Sequence, residues 1–251
     1  MLGKLLKYEV PALGRRLLPL YAGWIFTAAI LGVFVGPLAE RSDFMTVISV
    51  LLYTAAATAV MVMAVVTIIQ RYNTSLLGDE GYFNHVLPVR ASAHIASKAI
   101  ASMIWVVLAF VAMLLTILII ALFGGNLKEL LSVDWALMFR SIDWLTMLLI
   151  LVVCVMSLVK SIMGIYTALT LGHQAREHTV LACIGSYFLV MIFETVVARL
   201  SLPFLAKNFD TFDTSGEFRL MLLVGLAVTL LLCAVYFFIC KFLMEKHLNL
   251  S

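Results

Sequence analysis

From Leu17 to Ala39 the chain runs without a single charged side chain. Five further apolar stretches follow, at about Phe44–Ile69, Ala99–Phe123, Trp144–Leu171, Thr179–Ala198 and Leu220–Cys240. A helix needs about 20 apolar residues to cross the hydrocarbon core of a bilayer, and each stretch is long enough. In lipid the protein must satisfy every backbone N–H and C=O itself, which leaves only helices and closed barrels. No alternating strand pattern competes, so the expected fold is an all-α integral membrane protein with six transmembrane helices. Composition agrees: 64% of the residues are hydrophobic and 12% charged, where soluble domains sit near about half and a quarter.

The punctuation of the spans fits this reading. Pro19 and Pro37 lie near the start and end of the first span, where a helix needs no amide donor or can stop. Gly124 and Gly125 close the third. The fourth, from Trp144 to Leu171, would be about 42 Å long against roughly 30 Å of hydrocarbon. With Trp144 at the outer interface, Lys160 falls toward the inner leaflet and is expected to snorkel there, at a depth too far from Glu194 for an easy pair. Ahead of the first span, MLGKLLKYEVPALGRR interleaves leucines with Lys4, Lys7, Arg15 and Arg16. Such a segment lies in the membrane interface, so residues 1–16 are expected to form an amphipathic interfacial helix. The first apolar run begins only near Leu17 and is too long for a signal-peptide core, so no cleaved leader is expected.

Orientation follows from lysine and arginine outside the spans. An even number of spans puts both termini on one side. That side holds ten basic residues, among them Lys4, Lys7, Arg15, Arg16, Arg71, Arg90 and Lys98, against six on the other. Acidic residues run the opposite way, five against eight. Both termini and the segment from Gln70 to Lys98 are therefore expected in the cytoplasm.

Several function classes drop out. A net charge of +3 with scattered basic residues does not suit nucleic acid. Cys154, Cys183, Cys233 and Cys240 all fall in apolar runs without metal or disulfide spacing, and read as small buried hydrophobes. No phosphate loop, dinucleotide fingerprint or zinc helix is present, so any use of ATP must come from another chain. His173 and His178 are five residues apart and do not share a helical face, so no metal site is expected.

The longest interruption of the apolar pattern is QRYNTSLLGDEGYFNHVLPVRASAHIASK, from Gln70 to Lys98. Taken alone, Gly78-Asp79-Glu80-Gly81 reads either as a docking surface or as a turn before a helix N-terminus, whose dipole favours nearby acids. The chain as a whole resembles a permease subunit of the ABC type-2 transporter family, the membrane half of bacterial ABC exporters. Four short stretches carry the resemblance. Leu5-Leu6-Lys7-Tyr8-Glu9 with Arg15 to Tyr21 resembles the family's N-terminal segment and first span. Gly78-Asp79-Glu80-Gly81-Tyr82, with Leu87-Pro88-Val89 and Lys98, resembles its first cytoplasmic loop. Leu171-Gly172-His173-Gln174 with His178 and Ser186-Tyr187-Phe188 resembles its second cytoplasmic turn. Lys241-Phe242-Leu243 with Glu245-Lys246 and Leu248-Asn249-Leu250 resembles its C-terminal tail. At His173-Gln174-Ala175 the sequence departs from the family, which more often has glutamine followed by apolar residues.

The resemblance implies one transmembrane permease domain over residues 1–251, in a bacterial inner membrane. It implies a second permease copy or a related permease, and two ATPase subunits on separate chains. ATP and Mg would belong to those subunits, with no cofactor and no catalytic residue here. The loop at 70–98 would contain a coupling helix seated on the ATPase. Asp79 and Glu80 would pair with basic groups, Tyr82 and Phe83 would fill an apolar pocket, and Gly78, Gly81 and Pro88 would belong to the same contact. His173 and Gln174 would make the second contact.

Inside the membrane, Glu194 and Lys160 are the ionisable residues most costly to bury. Glu194 admits two readings: it faces a substrate path or exit gate, or it pairs with Arg199 or a polar group of another helix. Thirteen methionines and sixteen phenylalanines suit a path for a hydrophobic or amphipathic substrate (a peptide, a lipid-like molecule or a drug), although in so apolar a chain they more often serve ordinary packing or lipid contact. The small residues Thr54 to Ala59 suit close helix approach, within or between subunits. The alternative is a non-transporting membrane enzyme or anchoring subunit. An enzyme needs clustered His, Asp or Glu at one membrane face, and the sequence offers none. A secondary transporter would call for an internal repeat or matched broken helices, which are not seen.

Overall fold

The structure is a computed structural model, and it describes residues 2–37, 43–77, 91–132, 143–175, 178–206 and 215–246. In chain order the helices are α1 (Leu2–Val35), α2 (Asp43–Tyr72), α3 (Ala91–Phe123), α4 (Leu127–Ser132), α5 (Trp144–Gly172), α6 (Thr179–Ala206) and α7 (Ser215–Lys246). A single π-helical turn, Asn73–Leu77, follows α2 directly. Six of these helices are long and apolar enough to cross a membrane, and the described residues contain no strand.

The helices overrun the expected spans at several ends. The N-terminal segment runs into the first span as one 34-residue helix, with no break at Arg16. Pro11 and Pro19 sit inside it, each costing one backbone hydrogen bond without ending the helix. Side-chain burial explains the continuity, since Leu13, Gly14 and Leu17 are already buried on the same face as Tyr21 and Trp24. At its far end α3 starts at Ala91, eight residues before the expected span.

The described residues form two compact units. One comprises residues 3–71 and 100–140 and contains α1, α4 and most of α2 and α3. Its core is Leu13, Leu17, Tyr21, Trp24, Val60, Ala101, Trp105 and Ala112. Two of its aromatic rings, Tyr21 and Trp105, are tied by their polar ends inside the unit. Tyr21 donates to the Trp105 carbonyl at 3.0 Å, and the Trp105 indole donates to the Val10 carbonyl at 2.9 Å. At one end Arg71 pairs with Glu9 at 2.9 Å and Arg16 donates to Gln70 at 3.1 Å. At the other, a Cβ on Gly36 would stand 2.5 Å from the backbone of Gly124, so two glycines allow main chain to meet main chain. Of the small-residue run, Ala56 and Ala57 pack on this core, while Thr54, Ala55, Thr58 and Ala59 are exposed.

The other unit comprises residues 72–99 and 141–251, with the first two residues of the chain. Here α5 packs against both α6 and α7. The turn between α5 and α6 is tight because Gly172 lies on Cys183: a Cβ there would sit 2.5 Å from the Cys183 Cα and 2.6 Å from its nitrogen. Ser186 on α6 donates to the Ala168 carbonyl of α5 across the same contact. At the opposite end Arg219 of α7 pairs with Asp143, the residue before α5, and donates to Thr146 at 3.0 Å.

The surface is apolar in the way lipid requires. Phe26 is 67% exposed and Leu181 74%, and large aliphatic and aromatic side chains are exposed along all six long helices. In water such surface would aggregate; in hydrocarbon it is simply solvated.

Candidate functional site

Lys160 of α5 and Glu194 of α6, charged side chains in the middle of long apolar helices, meet at one place. Lys160 Nζ donates to Glu194 Oε2 at 2.7 Å, and the Tyr236 hydroxyl donates to Glu194 Oε1 at 3.0 Å. The expectation that Lys160 snorkels to the inner interface, too far from Glu194 to pair, is therefore wrong. The reason is the hairpin. Lys160 lies twelve residues before the end of α5 and Glu194 fifteen after the start of α6. At the helical rise these are about 18 and 22 Å from the same turn. Counting depth from Trp144 alone concealed this. Gly164, one turn along from Lys160, leaves room for the Glu194 carboxylate and the Tyr236 ring, each 3.6 Å from where its Cβ would be. Glu194 thus pairs with a polar group of another helix rather than with Arg199. The pair is not sealed, since the Lys160 and Glu194 side chains are 20% and 27% exposed. They stand in a groove of about 380 Å³ that also includes Thr195, Ala198, Ser201, Gly225 and Thr229.

A second cluster holds the two limbs of the segment singled out at 70–98. Tyr72, with no exposed surface, stacks on Tyr166 of α5 with ring centroids 4.0 Å apart. Its hydroxyl lies 3.0 Å from Thr170 Oγ1. Thr170 spends its own proton on the Tyr166 carbonyl at 2.7 Å, so Tyr72 is the donor. Met244 and Cys240 of α7 close the same pocket, with Thr167 3.3 Å from the Cys240 sulfur. On the other limb Lys98 of α3 is 3% exposed and donates to Ser75 in the π-helical turn. The limb leaving α2 and the limb entering α3 are thereby joined to each other, and the first is joined to α5 and α7.

Between those limbs, Gly78, Asp79, Glu80, Gly81, Tyr82, Phe83 and Pro88 all lie outside the described residues. Of the second expected contact, Gln174 is exposed on the turn, whereas the His173 ring folds back to within 3.2 Å of the Leu169 carbonyl. The His173 and Gln174 amides also close the end of α5, on Leu169 and Leu171. Among the described residues no cluster of three or more His, Cys, Asp or Glu could hold a metal ion.

Sequence reasoning missed Tyr72, Tyr166, Thr170 and Tyr236. Tyr166, Thr170 and Tyr236 fall in apolar runs and Tyr72 just beyond one, and none belongs to a motif, although a buried tyrosine hydroxyl usually finds a partner. It also took Lys98 for a loop charge, when that residue is buried on a helix. Comparisons with protein-family models, with curated proteins and with solved structures return no match to this chain.

Proposed function

We propose that this chain is the membrane-spanning permease subunit of an ATP-driven ABC exporter in a bacterial cell membrane, moving a hydrophobic or amphipathic substrate. Two copies, or one copy and a related permease, enclose the path. Separate ATPase subunits carry ATP and Mg. Both termini and the 70–98 loop lie in the cytoplasm, the first residues of α1 lie at the interface, and a coupling helix within 78–88 seats on the ATPase through Asp79, Glu80, Tyr82 and Phe83. Gln174 is placed to contribute from the neighbouring turn.

The observation that carries this reading is the anchoring of the loop's limbs. A loop that only connected two spans would need no buried stack of Tyr72 on Tyr166 and no buried Lys98–Ser75 bond. A loop that transmits force needs rigid attachment to the helices it must move. Here a push on the loop passes through Tyr72 to α5 and α7, the helices that present Lys160 and Tyr236.

The test is co-purification in nanodiscs with an ATPase that carries a phosphate loop and is encoded beside this chain. Wild type is compared with Asp79→Ala/Glu80→Ala, reading complex formation and ATP turnover. A wild-type complex that the double substitution weakens or uncouples is the expected result. Failure to associate with any such ATPase would remove the exporter reading.

A further inference from the structure

The Lys160–Glu194 pair faces a groove rather than a packed core, and hydrocarbon cannot solvate it there. What fills the groove can be read from its hydrogen-bonding inventory. Lys160 has three N–H donors, and the Glu194 bond uses one; among the described residues the other two meet no acceptor. Each Glu194 oxygen accepts one bond, from Lys160 or Tyr236, and keeps a free lone pair. Three hydroxyls line the rest. Thr195 donates to the Met191 carbonyl, Ser201 to Ala198 and Thr229 to Gly225, each at 2.8 Å. Their protons are committed to backbone, so they offer the groove only lone pairs. One end therefore supplies an ammonium, and the remainder is a set of acceptors around a carboxylate. The site is neutral in sum and carries both signs.

Helical spacing continues the groove away from the pair. Glu194, Ala198 and Ser201 follow at i, i+4 and i+7 on α6, while Gly225, Thr229 and Leu232 do so on α7. From Glu194 to Ser201 is about 10 Å along the helix. The walls there are small or aliphatic, and a Cβ on Gly225 would meet nothing within 4 Å.

We propose that this groove binds the head of a zwitterionic amphiphile, one bearing a primary ammonium beside an anionic oxygen. The anionic oxygen takes the two remaining Lys160 donors. The ammonium takes Glu194 and the hydroxyl lone pairs, and the apolar part lies against Val228 and Leu232. A primary ammonium is required because lone pairs recognise N–H donors; a trimethylammonium head has none. An aminophospholipid from the bilayer and a soluble amino-acid-like zwitterion share this chemistry. The site belongs to this chain alone and does not depend on any ATPase.

The experiment uses the purified full chain in phosphatidylcholine nanodiscs and reads the thermal unfolding midpoint as phosphatidylethanolamine, or the zwitterion glycyl-leucine, is added. One of the two should raise the wild-type midpoint by about 2–5 °C, as a ligand well above its dissociation constant does for a chain of this size. A rise with phosphatidylethanolamine assigns the lipid source, and a rise with glycyl-leucine alone assigns the soluble one. Gly225→Phe fills open space, so it should fold with an unchanged midpoint in phosphatidylcholine and lose the rise. Equal midpoints in all three conditions would overturn the proposal, and so would a rise that survives in Gly225→Phe. Spontaneous disulfide linking of two chains at Gly225→Cys would also overturn it, by showing that a second copy covers the groove.

Discussion

Lys160 and Glu194 sit where isolated charges are most expensive, and each makes the other tolerable. Removing one partner strands the other in a low-dielectric groove, whereas removing both removes the problem. Lys160→Met should therefore lower the free energy of unfolding by an amount on the order of 3 kcal/mol, seen as a lower unfolding midpoint. Adding Glu194→Met should recover most of that loss. A thermal double-mutant cycle in detergent measures the coupling, and strictly additive losses would show that the two side chains do not stabilise one another. Both residues were legible in the sequence as intramembrane charges. Their partnership was not, because depth was counted from one end of a long helix. Counted from the turn at His173, the two fall about 4 Å apart in depth, close enough for long side chains to meet. Tyr236, which completes the set through its 3.0 Å bond to Glu194, gave no signal beyond the general need of a buried phenol for a partner.

At the scale of elements, the α5–α6 hairpin depends on a residue that contributes no side chain. The Gly172 Cβ position lies within 2.4–2.6 Å of the sulfur, Cα and nitrogen of Cys183. Rotamer changes can move the sulfur but not the main chain, so Gly172→Ala must separate the two helices. Overpacking of this kind costs about 1–3 kcal/mol or more, and the Ser186–Ala168 bond across the same contact would stretch with it. Gly185→Ala, on α6 with nothing within 4 Å of its Cβ, is the matched control. It should be neutral or slightly stabilising, since alanine is the better helix former by about 1 kcal/mol. Circular dichroism melts of the two variants decide the matter, and equal melts would mean the helices are free to part at this turn. The sequence located every long helix, because runs of twenty apolar residues are hard to mistake. It misjudged ends such as Ala91 and Ser215, since hydropathy reports where lipid begins, whereas a helix continues wherever backbone bonding and burial allow. Ile95, Ser97 and Lys98 lie in that extra length of α3 and are buried by protein.

For the whole molecule, the division into two units was not legible at all, because every span reads alike in composition. The chain passes from one unit to the other at Arg71–Tyr72, at Ala99–Ile100 and again near residue 140. Both limbs of the 70–98 segment accordingly belong with α5, α6 and α7. What unites the units is topology, and topology makes a prediction independent of any partner. Six spans would return the chain to its starting side, and ten basic residues against six predict that side to be cytoplasmic. A fluorescent protein that matures only in the cytoplasm should light up when fused after Ser251. Alkaline phosphatase, active only outside the cytoplasm, should be active when fused after Arg140 and silent when fused after Gln174. The Gln174 fusion is the sharpest of the three, because it lies on the turn joining α5 to α6 and reports the side on which Lys160 and Glu194 are counted. An active phosphatase there would invert the chain. The anchored limbs would then face away from any cytoplasmic ATPase, and the exporter reading would fail on geometry alone.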